Sequence, residues 1–187
     1  MLLLCSADFH GREDKYEAFI ETYKKYEIID LVIIAGDFGY VEANVFNDID
    51  VPILAVYGNM DGDLSHLRGK IDFIDGMLRE YKGYKFLGIG EKYPEKIDDI
   101  DFDIIVSHIP PYKTKDRAFF GMHIGSKWLR NLMEEKKPKY IICGHVHEDA
   151  GYEKFGDTYV VNCSVGKKGI ATVIDIEKNE VRMIGYL

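Results

Sequence analysis

Tyr140-Ile141-Ile142-Cys143-Gly144-His145-Val146-His147 decides how this chain is read. An apolar, β-branched run stops at a glycine and two histidines one residue apart. The run is too short for a typical helix and reads as a buried strand. In an α/β sheet, chemistry sits on the loops just outside the carboxyl ends of the strands. Gly144 lets the backbone turn sharply there and come close to a ligand. Two imidazoles at such a point call for a metal or for a hydrogen-bond network. For a lone His-x-His, two surface histidines in a turn would be the plainer reading.

The rest of the chain changes that weighting, because other strand-like runs also end in metal-binding residue types. Residues 1–7 form a strand with Asp8-Phe9-His10 at its end, followed by a helix over about 13–26 whose Tyr16, Phe19, Ile20 and Tyr23 share one face. A second strand within 28–35 stops at Gly36-Asp37, and a third over 51–57 stops at Gly58-Asn59-Met60-Asp61, with a short helix near 41–48 between them. Strand, turn and helix in this rhythm predict a mostly parallel sheet with right-handed crossovers. Residues 70–91 carry short strands and glycines, which predict hairpins and a second sheet. Strand 103–107 ends at His108, before the stiff pair Pro110-Pro111. Residues 112–125 read as an active-site loop, and Ser126 as the N-cap of a helix over 127–137 with Trp128, Leu129 and Leu132 inward. The tail from Thr158 to Ile184 alternates and predicts antiparallel sheet with a turn at Lys178-Asn179.

Composition narrows the class. At 187 residues the chain reads as one domain over 1–187, with 47% hydrophobic and 30% charged residues as in globular proteins. A net charge of −8 argues against stable nucleic-acid binding, which needs a basic face. No apolar run is long enough to span a bilayer, and Met1 to Cys5 lacks the basic start of a signal peptide. The odd count of three cysteines, all in strand-like runs, points to reduced, buried thiols and a cytoplasmic protein.

Asp8, His10, Asp37, Asn59, His108, His145 and His147 therefore stand at or just beyond strand ends. On one sheet edge, these seven oxygen and nitrogen donors would converge. The mixed set suits Mn²⁺, Fe²⁺ or Zn²⁺ without choosing among them. Seven donors exceed one tetrahedral site and suit two metals sharing a carboxylate, typical of phosphatases and nucleases.

The order Asp-x-His, Gly-Asp, Gly-Asn-x-Asp, His, Gly-His-x-His, running from Asp8 to His147, resembles the calcineurin-like metallophosphoesterase superfamily. Asp116 to Ser126 with the following helix further resembles a short prokaryotic branch of phosphoesterases. The resemblance implies an α/β fold, a four-layer α/β/β/α sandwich with two mixed sheets. It implies two divalent ions, Mn²⁺ first, with Fe²⁺, Ni²⁺ and Zn²⁺ as alternatives. Asp8, His10, Asp37 and His147 would hold one, and Asp37 would bridge to another completed by Asn59, His108 and His145. The implied reaction is attack by a metal-bridging hydroxide on a small phosphoester, with Asn59 and His108 at the chemistry. The implied substrates are phosphodiesters, and monoesters with good leaving groups.

Two departures from the pattern matter. Met60 stands where the family carries a histidine that serves as general acid or phosphate contact, and a thioether performs neither task. The stretch Gly36 to Val41 also lacks the arginine of the family's protein phosphatases. Tyr40 has the spacing of the iron-binding tyrosine of purple acid phosphatases, but His10 does not fit that branch, so Tyr40 reads as pocket wall or packing. His66 reads as exposed, and Arg117 as solvent-exposed with a phosphate contact as the alternative. His123 divides between a turn histidine and a replacement acid. The competing function is a protein-interaction scaffold of the same fold, metal-binding or metal-free, which degraded ligand positions would favour. All seven positions are intact.

Overall fold

Twelve strands and two α-helices make up the computed structural model, which describes residues 1–90, 92–94, 97, 99–166 and 168–186. The strands are β1 (Leu2–Ser6), β2 (Leu31–Ala35), β3 (Ile53–Val56), β4 (Asp72–Phe73), β5 (Leu78–Tyr81) and β6 (Tyr84–Ile89). They continue with β7 (Ile104–Ser107), β8 (Tyr140–Cys143), β9 (Gly151–Phe155), β10 (Thr158–Asn162), β11 (Ala171–Asp175) and β12 (Glu180–Ile184). The helices are α1 (Glu13–Lys25) and α2 (Lys127–Lys136).

The strands form two six-stranded sheets, in the orders β12-β11-β1-β2-β3-β4 and β5-β6-β7-β8-β10-β9. Both are mixed. The first has parallel β1-β2-β3-β4 edged by antiparallel β11 and β12. The second has parallel β6-β7-β8-β10 with antiparallel β5 and β9 at its edges.

Alternation along the strands builds the layers. Successive side chains point to opposite faces of a sheet. In β2, Val32 and Ile34 turn toward Tyr16, Phe19 and Ile20 of α1, while Leu31, Ile33 and Ala35 turn toward the second sheet. In β7 and β8, Ile104, Val106 and Ile142 meet those residues from the other side, while Ile105 and Ile141 pack under Leu129, Leu132 and Met133 of α2. Three apolar interlayers separate four layers, giving the expected α/β/β/α sandwich. Strands apolar on both faces, such as β2 and β8 with every residue buried, are what a sheet covered twice requires.

Several local expectations shift. The helix near 41–48 is a 3-10 turn over Ala43–Phe46. Stretch 70–91 divides between the sheets: β4 joins the first, and β5 with β6 forms the hairpin of the second. Its last residue, Glu91, lies outside the described residues. The tail also divides. β10 pairs antiparallel with β9 and parallel with β8 in the second sheet, while β11 and β12 make the predicted antiparallel hairpin in the first, with Asn179 left-handed in its turn. Trp128 is not inward: it is 39% exposed and meets Tyr93 edge-on, while Met133 takes the core position. The three cysteines are free and buried. Among the described residues, no helix is long and apolar enough to cross a membrane.

Ser126 caps α2 as expected, its Oγ accepting the Leu129 N–H at 3.1 Å. At the other end Lys137 adopts a left-handed conformation (φ 50°) that glycine holds without steric cost. Ser126→Ala is expected to lower stability by about 1 kcal/mol, and Lys137→Gly to raise it by about 0.5 kcal/mol. Urea unfolding followed by circular dichroism measures both.

Candidate metal centre

Five parallel strands deliver the predicted residues to one place. β1, β2 and β3 of the first sheet end just before Asp8, Asp37 and Asn59, and β7 and β8 of the second end just before His108 and the 145–147 segment. The strand-end loops are joined by backbone hydrogen bonds: Asp8 N–H to Gly36 carbonyl, His10 N–H to Asp37 carbonyl, and Gly144 N–H to His108 carbonyl, each 3.0 Å.

Loops this close leave no room for side chains at the crossings. A Cβ on Gly58 would stand 2.1 Å from Asp37 Oδ1, and one on Gly144 would stand 2.4 Å from the Ala7 Cβ and 2.8 Å from Asp8 Oδ2. On Gly36 it would meet the Gly58 backbone at 2.6 Å, with φ +86° adding backbone strain. These are the glycines of Gly-Asp, Gly-Asn and Gly-His; close approach accounts for all three.

All seven residues gather there. His10 Nε2 lies 3.2 Å from His147 Nε2. His108 Nε2 lies 2.9 Å from Asn59 Oδ1 and 3.3 Å from His145 Nδ1. Asp37 Oδ2 stands between the two halves, 3.8 Å from His10 Nε2 and 3.4 Å from His108 Nε2. Asp8 Oδ1 is 3.7 Å from His147 Nε2. Two groups, Asp8-His10-His147 and Asp8-Asp37-His108, each offer donor atoms within 4.8 Å of one another.

The supporting contacts orient these donors. The His108 Nδ1–H donates to the Ala35 carbonyl at 2.8 Å. A carbonyl only accepts, so Nδ1 carries the proton and Nε2 of the neutral ring keeps its lone pair for the centre. Asp37 Oδ1 accepts the Met60 N–H, and Asp8 Oδ2 accepts the His145 N–H, which leaves the other oxygen of each carboxylate toward the cluster.

The electrostatics point the same way. Burial opposes ionisation of Asp37, but His108, the Met60 N–H and His10 together hold its carboxyl below the usual range. Burial also opposes charge on His108; the Asp37 and Asp8 carboxylates outweigh it and raise the imidazole. His147 is raised mainly by the Asp8 carboxylate beside it, whereas burial and neighbouring His108 lower His145. Among the described residues, buried Asp8 Oδ1 makes no hydrogen bond and faces His147 Nε2 at 3.7 Å. A buried carboxylate oxygen without a hydrogen bond is costly, and a cation held there would compensate it. Metal bonds of about 2.0–2.2 Å suit donors spaced this closely. The residues therefore fit divalent metals by chemistry and by spacing.

Asp61 was present in the sequence motif without a role, and it proves central. Its Oδ2 accepts the N–H groups of Asp37 and Gly58, both at 2.8 Å, and its Oδ1 accepts those of Phe38 at 2.7 Å and Gly39 at 3.2 Å. One carboxylate thus joins the second and third strand-end loops. Burial, with the charge of Asp37, still pushes its pKa up.

His123 takes a different place. Its Nδ1 bonds Asp116 Oδ1 at 2.5 Å, and fully buried Asp116 also accepts the N–H groups of Lys113, Thr114 and Gly125. The described contacts of His123 stay within its own loop, at Asp116, Arg117 and Tyr112, and none reaches the cluster. Asp149 ties that loop to the 147–149 turn, binding Lys115 Nζ at 2.7 Å and the Arg117 N–H at 2.9 Å. Tyr40 is 75% exposed and bonds Glu42, so it is not interior packing, although it lines an open groove beside α1. His66 is exposed, as expected, and its Nε2–H donates to the Val41 carbonyl. Met60 is 68% exposed beside the centre. The largest described cavity, about 980 Å³ and lined by Pro52, Asp72 and Arg79, touches none of the seven residues.

A metallophosphoesterase sandwich with carboxylates and imidazoles at the strand ends of both sheets defines a class. Comparison places the chain within it. The calcineurin-like phosphoesterase superfamily domain matches residues 1–172, and the chain belongs to that superfamily of phosphoester hydrolases. It is 25% identical over 198 residues to an uncharacterized protein of Methanocaldococcus jannaschii, covering 88% of each chain. One solved structure superposes with a TM-score of 0.80 at 16% identity, covering 100% of this chain and 99% of that one. A novel archaeal phosphodiesterase superposes at 0.67 with 21% identity, covering 98% and 99%. At these identities the structural likeness concerns the fold.

Asp61→Ala is expected to lower stability by roughly 3 kcal/mol, because four N–H groups lose a charged acceptor. Affinity for a divalent metal, with Mn²⁺ as the probe, is expected to fall at least about tenfold as Asp37 loses its fixed backbone. Thermal unfolding without metal and calorimetric Mn²⁺ titration separate the two effects. Unchanged affinity in a folded variant would make Asp61 purely structural.

Proposed function

We propose that this chain is a dinuclear metal-dependent phosphoesterase acting on phosphodiesters, and on monoesters with good leaving groups. The observation that carries this reading is Asp37 Oδ2, which faces His10 on one side and His108 on the other. A single carboxylate oxygen so placed suits a bridge between two cations. Asp8, His10 and His147 would complete one position, and Asn59, His108 and His145 the other. Asp8 is common to both close-spaced groups, but the contact its Oδ1 makes is with His147 on the first side, at 3.7 Å, whereas Asp37 Oδ2 faces a histidine of each side. When bound, two divalent ions supply a nucleophile from water near neutral pH and neutralise charge on the phosphoryl oxygens. The donor set, oxygen and imidazole without thiolate, suits Mn²⁺, Fe²⁺ and Zn²⁺ alike, and Mn²⁺ is the first candidate on the family resemblance.

The chain's own residues account for the substrate preference. Met60 contributes only a backbone N–H to the site, and that N–H is spent on Asp37. Its thioether neither donates a proton nor holds a phosphoryl oxygen. Leaving groups that need protonation are therefore poorly served. His123 acts by bracing Asp116 and the 112–125 loop. The partner implied is a small phosphoester. The net charge of −8 does not suit a nucleic-acid surface.

Asp37→Ala should lose both metals, while Asp8→Ala retains about one per chain, as a bridge between two cations requires. Elemental analysis after desalting reads this directly, and two metals retained in Asp37→Ala would end the dinuclear assignment.

Met60→His should raise monoester relative to diester turnover, since well-placed general acid catalysis contributes roughly 10²–10⁴-fold. Across phenyl phosphates of differing phenol pKa, His123→Ala should lower kcat evenly, as loss of a brace would. A loss that grows with leaving-group pKa would instead make His123 the acid.

A further inference from the structure

A smaller cavity opens on one flank of the cluster and shares two of its residues. Its volume is about 190 Å³, and Asn59 and His108 belong to its lining. Tyr57, Ile89, Tyr93, Ile109 and Leu129 supply the rest of its side-chain wall, so the lining is mainly apolar. The two serines at its border are committed elsewhere. The Ser107 hydroxyl donates to the Ile109 carbonyl, and Ser126 Oγ accepts the Leu129 N–H of α2. On the glycine side, Gly58 and Gly90 bring bare backbone to the wall. Neither tolerates a Cβ, because Asp37 and Asp75 stand behind them at 2.1 and 1.8 Å. The cavity is therefore kept open by packing on its far side.

We propose that this cavity receives the uncharged, apolar substituent of the phosphoester, a group of about one aromatic ring, while the phosphoryl group meets the carboxylate and imidazole cluster. The inference rests on the hydrolase reading above and names its substrate class. Three observations carry it. First, the cavity is continuous with the Asn59–His108 half of the centre, so a group bonded to phosphorus through one oxygen reaches it. Second, it falls below the roughly 300–1,000 Å³ of pockets for drug-sized ligands, which restricts it to a single ring or a branched alkyl group. Third, apart from Asn59 and His108 its wall is formed mainly by the aliphatic Ile89, Ile109 and Leu129 and the rings of Tyr57 and Tyr93. A nucleobase has several ring nitrogens and carbonyls and would meet few polar groups in that wall beyond two phenol hydroxyls, a desolvation penalty an aryl or alkyl group does not incur.

Tyr93 is the specificity-determining side chain that is open to test. It is 55% exposed, so its truncation leaves the core intact. Its ring meets Trp128 at 4.8 Å and 90°, and Trp128 is the single tryptophan of the chain. Occupation of the cavity is therefore read by Trp128 emission, without turnover.

The experiment uses the full chain loaded with Mn²⁺ and three probes: methylphosphonate, phenylphosphonate and thymidine 5′-monophosphate. Each is measured as a competitive inhibitor of bis-p-nitrophenyl phosphate hydrolysis and by Trp128 fluorescence. Phenylphosphonate should bind on the order of tenfold or more tighter than methylphosphonate, the scale expected for burying a ring, and it alone of these two should change the emission. Tyr93→Ala should narrow that ratio to below about threefold. Equal inhibition by the two phosphonates, in an enzyme that hydrolyses the diester, would overturn the cavity assignment and leave the hydrolase reading standing. Tighter binding of thymidine 5′-monophosphate than of phenylphosphonate would overturn the apolar class in favour of a base. Failure to hydrolyse any phosphoester would remove the hydrolase reading, and the cavity's role with it.

Discussion

The site depends on a backbone constraint. Asp8, His10, Asp37 and His145, four of the seven gathered residues, hold positive φ values between 50° and 70°. The left-handed region is costly for residues with a Cβ, though aspartate, asparagine and histidine visit it more readily than most. Such residues persist only where the surrounding structure over-determines them. Here the over-determination is visible. Backbone hydrogen bonds lock each strand-end loop to its neighbour, and Asp61 gathers four N–H groups of two loops onto one carboxylate. The strain brings side chains that would otherwise flank the strands back over the strand ends, where the two sheets meet.

That placement concentrates charge. Two carboxylates and four imidazoles share a small volume, and among the described residues buried Asp8 Oδ1 makes no hydrogen bond. In the absence of a cation, the fold must tolerate a carboxylate field strong enough to raise His108 and His147. The same lone pairs that take protons under that field are those a divalent ion would take. Binding such an ion would relieve repulsion between the carboxylates and satisfy that buried oxygen together, which couples metal affinity to stability.

Much of this was legible in the sequence because two periodicities and a few breakers carried it. The two-faced apolar runs of β2, β7 and β8 announce buried parallel strands, and the residue types at their ends announce the cluster. The misplaced parts were governed by tertiary pairing. Thr158 to Asn162 has the same alternating character whether it pairs with β8 or β11, and only the three-dimensional arrangement sends it to the second sheet. Gly151–Phe155 is an exposed edge strand with little apolar signal. Trp128 fits the inward stripe of α2 by spacing, yet a surface aromatic, Tyr93, gives it a partner outside the core. The role of Asp61 was hidden because its partners are backbone groups, which no residue pattern displays. His123 was ambiguous for a related reason. The carboxylate it braces, Asp116, lies seven residues away in a loop without periodicity.

The division between what spacing reveals and what it hides follows the division of labour in the site. The cluster stands on strand ends held by two sheets, so its composition is constrained by geometry and survives as a motif. The groups we propose to choose a substrate are held differently. Met60 is exposed on a loop, Tyr93 lies after the end of β6, and Ile109 is the residue between His108 and the prolines. Each can change without disturbing the glycine crossings or the Asp61 cradle. A chain with the same seven donors can therefore serve different esters by altering these few side chains. In this chain they are a thioether, an exposed phenol and an aliphatic wall. None brings a fixed charge or a general acid beyond the cluster, and that combination suits an apolar ester whose leaving group departs without a proton.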